Sequence, residues 1–434
     1  MGCDGRYDSF TRRKVNPVTT LNIAKKALWL HDKGLQSLLS CLSENGEEAR
    51  VVGGAVRNQL LGYPVNDVDI ATTCPPDEII KRVSEAGFKA VPTGYEHGTI
   101  TVVVNGHSYE VTALRSDIEP DGRHTKVVFG RDWKADAKRR DFTINAIYAD
   151  ADGKIYDDVN GLADIETATL RFIGEADERI REDYLRILRF FRLYAWIGKG
   201  RPDAEALKAC ARLKDGLLQL SAERVWSELK KMLSSPDPTR ALLWMRQAAI
   251  LGIILPETEK WGIDAFRPLV ETGHVMGFAP DPLLRLFSIV PKDEARLKKM
   301  AERLRFSNAE KTRLLNWAHM SPIKYDCSDL ELKKLGYNHG KEAVLDELTL
   351  ALANARAHAM SNDKALVEAS HYVRLLKLIQ NYDIPVFPVT GKDLMPLGIS
   401  EGPAIGHKLK ALEKLWVESG FLLDRQALID MADA

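Results

Sequence analysis

Several of the usual guides to function are missing from this 434-residue chain. It has no excess of either charge: lysine plus arginine and aspartate plus glutamate are both 61. A diffusely basic surface is therefore excluded, and a nucleic-acid partner would need basic residues gathered in one region. Cysteine is sparse, at Cys3, Cys41, Cys74, Cys210 and Cys327, odd in number and with no Cys-x-x-Cys. That pattern excludes a disulfide framework or a cysteine zinc site and points to a reducing compartment. No apolar run approaches the ~20 residues that cross a bilayer. The N-terminal stretch has no apolar segment of the signal-peptide type, and Arg6 stands where an N-myristoylation signal requires Ser or Thr. The expected location is cytoplasmic, with no membrane contact and no segment marking a stable protein partner. Walker A, G-x-G-x-x-G, HExxH and Ser-His-Asp patterns are absent, as is any internal repeat.

What is present divides by texture. Residues 1–18 are polar and pattern-free and read as a loose tail. Residues 21–43 read as one amphipathic helix. Short β-branched runs follow at residues 50–52, 68–72, 99–104 and 109–114, with an Asn105-Gly106 turn between the last two. Helices are expected over residues 76–86 and after Gly54. Together these make a compact α+β head of about 150 residues. Residues 117–133, with Pro120 and Asp121-Gly122, read as a long loop. From about Glu175 leucine recurs at helical spacing to the end, so the rest reads as all-α. Breaks fall at residues 234–238, at Pro322 and at residues 385–398.

The chemistry is concentrated in the head and just after it. Val51-Val52-Gly53-Gly54-Ala55-Val56-Arg57 is a strand running through two glycines into a helix. Glycine lets a phosphate approach the backbone, and the helix start offers open N–H groups. Arg57 can neutralise a phosphate oxygen, or it is an ordinary surface arginine after a tight turn. In Asn66-Asp67-Val68-Asp69 the two aspartates share one face of a strand. Their charges repel unless a cation lies between them, so a divalent metal held by Asp67 and Asp69 is the functional reading and an exposed pair at a strand edge the plain one. Glu110, in Tyr109-Glu110-Val111-Thr112, is either a third carboxylate on that face or a solvated strand residue. Arg140, in Arg139-Arg140-Asp141-Phe142-Thr143-Ile144-Asn145-Ala146, is a natural triphosphate or ribose contact that Asp141 can orient.

Residues 181–192, Arg-Glu-Asp-Tyr-Leu-Arg-Ile-Leu-Arg-Phe-Phe-Arg, read as a helix apolar on most sides and hence buried, yet rich in arginine. Glu182 and Arg186 are spaced for an i,i+4 ion pair, which leaves Arg189 and Arg192 over. In the functional reading Asp183 accepts and Arg186 donates, imitating a base-pairing edge. Cytosine and adenine, each with an amine beside a ring acceptor, fit that edge; uracil and guanine do not. Arg189 and Arg192 are then available for phosphates or an RNA end.

These motifs, in this order, resemble the class II tRNA nucleotidyltransferases (CCA-adding enzymes) and the bacterial poly(A) polymerases of the DNA polymerase β-like superfamily. Residues 50–235 carry the resemblance. It implies a polymerase β-like nucleotidyltransferase head (19–174), a helical neck for base selection (175–235) and a helical body and tail that bind tRNA (236–434). It implies Mg²⁺ on Asp67 and Asp69; Glu110 is counted beside them as a catalytic candidate from its strand position alone. It implies nucleotide contacts from Gly54, Arg57, Arg140, Asp183, Arg186, Arg189 and Arg192. ATP and CTP are the implied substrates and tRNA the acceptor. Residues 156–166 resemble the family's hinge motif, and residues 221–228 the neck motif that braces the template helix. Two departures stand out: Asn58 replaces the usual aspartate, and Val159-Asn160-Gly161 replaces the usual glycine pair in the hinge.

Full CCA addition, partial CC or A addition and poly(A) addition share these motifs. A long loop over residues 115–138 favours full CCA addition, since CC-adding members tend to lack it. The neutral-to-acidic C-terminus lacks the basic extension of the poly(A) polymerases. Gly391-Lys392-Asp393-Leu394-Met395 resembles the tail of CCA-adding enzymes. His31-Asp32 is isolated, so no HD phosphohydrolase is expected. A non-catalytic RNA-binding homologue is the reading from another class, and it predicts loss of Asp67 or Asp69, both of which are present.

Overall fold

The computed structural model describes residues 21–117, 127–258, 263–359, 362–397 and 402–433. It forms two compact units, Met1–Arg186 with Ile197–Cys210, and Ile187–Trp196 with Ala211–Ala434.

The first unit is built on a seven-stranded sheet in the order β3-β4-β5-β2-β1-β8-β9. Its strands are β1 (Ala49–Val52), β2 (Asp69–Thr72), β3 (Lys89–Gly94), β4 (Thr99–Val104), β5 (His107–Ala113), β8 (Ile147–Ala149) and β9 (Ile155–Asp157). Only the β2–β5 pair is parallel. β4 alternates, burying Ile100, Val102 and Val104. These pack with α1 (Lys33–Leu42), through Leu35, Leu38, Leu39 and Leu42, and with α3 (Pro76–Glu85), through Ile79 and Val83. Asn105 and Gly106, at φ 51° and 84°, make the expected tight turn between β4 and β5. The opposite sheet face carries a smaller cluster of Val52, Ala71, Leu114, Ala137, Ala146, Tyr148 and Ile173.

Two expectations for the head are corrected. Residues 21–43 are not one helix. A short 3-10 turn at Leu28–His31 precedes α1, which starts at Lys33 because Asp32 caps it, accepting the Leu35 N–H at 2.9 Å. Residues 117–133 are not all loop. β6 (Arg115–Asp117) and β7 (Val127–Phe129) pair as a ribbon, and α4 (Trp133–Lys138) follows, capped by Asp132. Residues 118–126, with Asp121-Gly122-Arg123-His124, lie outside the described residues.

The hinge departure is met by local chemistry. Asn160 takes the left-handed conformation (φ 61°), which asparagine tolerates, and leads into α5 (Gly161–Glu166). Asp157 accepts the N–H groups of Val159, Gly161 and Leu162 at 3.1, 2.9 and 2.9 Å. Gly161 lies against the Thr143 carbonyl with no room for a Cβ, and Thr143 Oγ1 donates to the buried Asp164 of α5 at 2.6 Å.

The second unit is helical in its described residues, as expected from the leucine spacing. α6 (Ala176–Glu182) and the start of α7 (Leu185–Ile197) belong to the first unit, and the middle of α7 to the second. α7 buries Ile187, Leu188, Phe190, Phe191, Leu193 and Tyr194. α8 (Ala204–Arg212) is followed by α9 (Ala222–Leu233), which ends at the expected break, and the next helix begins at Thr239. Arg192 is not left over: its Nε meets the buried Glu228 of α9 at 2.5 Å, so the 221–228 segment braces α7 through a charge pair. Glu228→Ala would leave that half-buried guanidinium without its carboxylate. The expected loss is about 3 kcal/mol of stability, read by urea unfolding.

Candidate active site

The site is organised by strand register. Val52 is paired with Asp69 on one side and Tyr148 on the other, and Asp69 is paired with Glu110. Directly paired residues share a sheet face, so Tyr148, Val52, Asp69 and Glu110 form one row across it. β1 then leaves the sheet at Gly53 (φ 74°, ψ −125°), a conformation suited to glycine, and enters α2 (Gly54–Leu61). A Cβ on Gly53 would lie 3.9 Å from Asp69 Oδ2, so the glycine turn and the carboxylate are neighbours.

Asp67 does not share the strand as expected. β2 begins at Asp69, and its ladder with β1 ends at the Val52–Asp69 pair, where β1 enters the Gly53 turn. Asp67 is exposed just ahead of the strand, yet its charge still acts on Asp69. The Asp69 carboxyl is pushed above the usual aspartate range by burial first and then by Glu110. Arg140 opposes the shift, Asp67 adds to it, and Arg57 opposes it again. Asp69 nonetheless keeps exposed surface, so it is crowded by protein but open to a ligand.

The two arginines are held in place. Arg57 donates to Asn145 Oδ1 at 2.5 Å and, through Nε and Nη2, to Asn58 Oδ1 at 3.2 and 2.9 Å. Asn58 therefore still supports Arg57, through an amide oxygen. Arg140 is not oriented by Asp141 as expected. Asp141 accepts from the Phe142 N–H and from Asn145 Nδ2, while Arg140 is paired with Asp136 at 2.9 Å. Burial acts against the charge on Arg140, but Asp136 and Tyr148 outweigh it and hold its pKa above the ordinary guanidinium value.

The predicted template residues are also engaged. The single helix expected over residues 181–192 is broken at Asp183, which is extended after α6 and whose Oδ1 accepts the Leu185 N–H at 3.1 Å, capping α7. Arg186 forms the i,i+4 pair with Glu182 at 2.5 Å and bonds the Arg179 carbonyl at 2.9 Å; both bonds use Nη1. Arg189 is half-buried on the same helix.

Among the described residues no three His, Cys, Asp or Glu side chains converge closely enough to cage an ion alone. The donor set instead suits a hard cation held by one or two carboxylates and completed by substrate phosphates. A cation there would favour the charged form of Asp69, whose ionisation its surroundings oppose.

A family model described as "Poly A polymerase head domain" matches residues 49–171. A second, "Probable RNA and SrmB- binding site of polymerase A", matches residues 201–261. The chain is 35% identical over 404 residues to the mitochondrial CCA tRNA nucleotidyltransferase 1 of Mus musculus, covering 92% of this chain and 90% of the relative. It belongs to the CCA tRNA nucleotidyltransferase family. The CCA-adding enzyme of Streptococcus uberis is 33% identical over 391 residues, covering 88% of this chain and 91% of the relative. The structure of the Bacillus stearothermophilus CCA-adding enzyme in complex with CTP aligns with a TM-score of 0.65 at 26% identity, over 89% of this chain and 93% of that one. The Thermotoga maritima CCA-adding enzyme complexed with tRNA aligns with a TM-score of 0.61 at 19% identity, covering 95% of this chain and 98% of that one, which shows the shared fold. As expected for this family, an α+β head is followed by helices. Among the described residues no helix is long and apolar enough to cross a membrane.

Sequence reasoning missed Asp136, Asn145 and Tyr148. Asp136 carried a usable signal, since it stands four residues before Arg140, the spacing of a helical ion pair. Tyr148 carried none, because only the sheet register aligns it with Asp69.

The raised Asp69 carboxyl has a measurable consequence. The folded state holds this proton more tightly than the unfolded chain does. Its stabilising contribution is full below the ordinary aspartate pKa of about 4 and is lost as pH rises through the raised value. In chelator, Asp69→Asn should melt above the parent near pH 7, with the gap closing toward about pH 4. Thermal melts across that range check it, and a lower-melting Asn variant at neutral pH would contradict it.

Proposed function

We propose that this protein adds CCA to the 3′ end of tRNA, one nucleotide at a time, from CTP and ATP with release of pyrophosphate. The observation that carries the reading is the Asp69–Glu110 row, with Asp67, Arg57 and Arg140 acting on it beside the Gly53 turn. It is supported by relatives named CCA tRNA nucleotidyltransferase and CCA-adding enzyme along about nine-tenths of the chain. In this reading the head spans residues 19–174, the neck 175–235, and the tRNA-binding body and tail 236–434.

A divalent ion, Mg²⁺, would be held by Asp67 and Asp69 with the substrate phosphates, and would supply Lewis-acid polarisation of the α-phosphate. The first turn of α2 at Gly54 presents N–H groups to the triphosphate. Arg57 and Arg140 neutralise its oxygens, preheld by Asn145 and Asp136. The tRNA 3′-hydroxyl attacks the α-phosphorus in line, and Glu110 adds a carboxylate beside Asp69. Asp183 and Arg186 choose the base; Arg186 has guanidinium nitrogens beyond the Nη1 that bonds Glu182. Arg189 and Arg192 extend the positive edge of α7, with the charge of Arg192 shared with Glu228. A cytoplasmic site of action belongs to this reading. The relatives include enzymes named mitochondrial, and fractionation of the expressed protein separates the two.

The decisive assay supplies tRNA ending at the discriminator base, at C or at CC, with single nucleotides, and sequences the products. C, C and then A supports full CCA addition. A stop after CC, addition of A alone, or an A-tract would each replace it with a partial or poly(A) activity. Asp69→Ala should abolish incorporation while tRNA binding persists; loss of both would count against the metal assignment. Exchange of Asp183 or Arg186 should relax selectivity against UTP and GTP. Unchanged selectivity in both would remove the template role.

A further inference from the structure

Arg140 acts on Asp69, but it is gripped from behind by two residues outside its own motif. Asp136 is 1% exposed, and its Oδ2 accepts from Arg140 Nε at 3.0 Å and Nη2 at 2.9 Å. The Tyr148 hydroxyl donates to the same oxygen at 2.8 Å and accepts from Arg140 Nε at 3.1 Å. Asp136 Oδ1 accepts Arg139 Nε at 2.9 Å. Both carboxylate oxygens are thus engaged, in a place where no substrate reaches them. The Nε–Nη2 edge of the Arg140 guanidinium is clamped, and Nη1 lies outside that clamp.

The clamp is itself fixed. Tyr148 stands in the cross-sheet row with Val52 and Asp69, so its ring is set by the same register that sets the carboxylate. The Trp133 ring meets Tyr148 edge-on at 5.3 Å. Arg50, on β1, lies between the rings of Trp133 and Tyr156, with its guanidinium 4.0 and 3.7 Å from their centroids. α4, which carries Asp136, is thereby stacked onto the sheet.

We propose that Asp136 and Tyr148 are positioning residues of the nucleotidyl-transfer site, fixing the Arg140 guanidinium at the orientation in which it meets the substrate triphosphate beside Asp69. An arginine free in solution loses rotamer freedom when it grips a phosphate. One that is already clamped has lost that freedom beforehand, and a buried guanidinium stays in place only while its carboxylate is there. The inference rests on the reading of Arg140 as a nucleotide contact.

The test is a double-mutant cycle on the full-length protein, measuring CTP and ATP incorporation into tRNA lacking its 3′ end. Asp136→Asn should raise the KM for both nucleotides about 10- to 100-fold, the range for a lost supporting partner, and leave the KM for tRNA unchanged. Tyr148→Phe, which removes a single oxygen, should act in the same direction and less. In an Arg140→Ala background neither change should add to the loss. A merely structural role would lower melting temperature and active fraction in both backgrounds alike, and additive losses would overturn the inference while leaving Arg140 in the site. If Arg140→Ala incorporates normally, the nucleotide assignment of Arg140 falls and this inference with it. Should Asp136→Asn not fold, the Tyr148→Phe arm carries the same comparison.

Discussion

Asp69 stands where dehydration and like charge both oppose its ionisation, and the architecture of the head answers that tension. The parallel pairing of β2 with β5 brings Glu110 alongside, and the approach to β2 adds Asp67. Such a cluster tolerates full charge only beside cations, and the chain supplies two arginines from separate elements, Arg57 on α2 and Arg140 after α4. Each arginine is held by a neighbour that is buried, Asn145 for one and Asp136 for the other. The positive groups are thus in position before any substrate arrives, the condition under which electrostatic stabilisation of a transition state needs no reorganisation.

The same economy governs α7. A helix apolar on most sides can carry charged residues only where each has a partner, and Glu182 and Glu228 provide them for Arg186 and Arg192. The capping role of Asp183 means that the residue proposed to read a base also fixes where its helix begins. Local structure and recognition are in this way assigned to the same side chains, and a substitution there perturbs both.

Legibility in the sequence followed the range of the interactions. Strand alternation, the Asn105-Gly106 turn and the proline-marked breaks are local, and these elements stand where the residues put them. The single helix over residues 21–43 failed because Asp32 offers a cap that outweighs continuous periodicity. Two residues of spacing look alike on either side of a ladder's end, so the sequence puts Asp67 in the strand, whereas the β1–β2 ladder ends at the Val52–Asp69 pair beside the Gly53 turn. Adjacency in sequence points to Asp141 as the partner of Arg140, whereas the helical turn brings Asp136 to it instead. Glu110 was ambiguous until the register set it beside Asp69, and no spacing rule could have found Tyr148.

The fit of Gly161 against the Thr143 carbonyl has a wider implication. Thr143 sits three residues after Arg140, and its hydroxyl is bonded to Asp164 on the helix that Gly161 begins. The segment carrying Arg140 is thus stitched to a turn that lies outside the proposed nucleotide contacts. Inherited or selected changes at that turn would surface as defects of tRNA end maturation, and a survey confined to nucleotide contacts would overlook their cause.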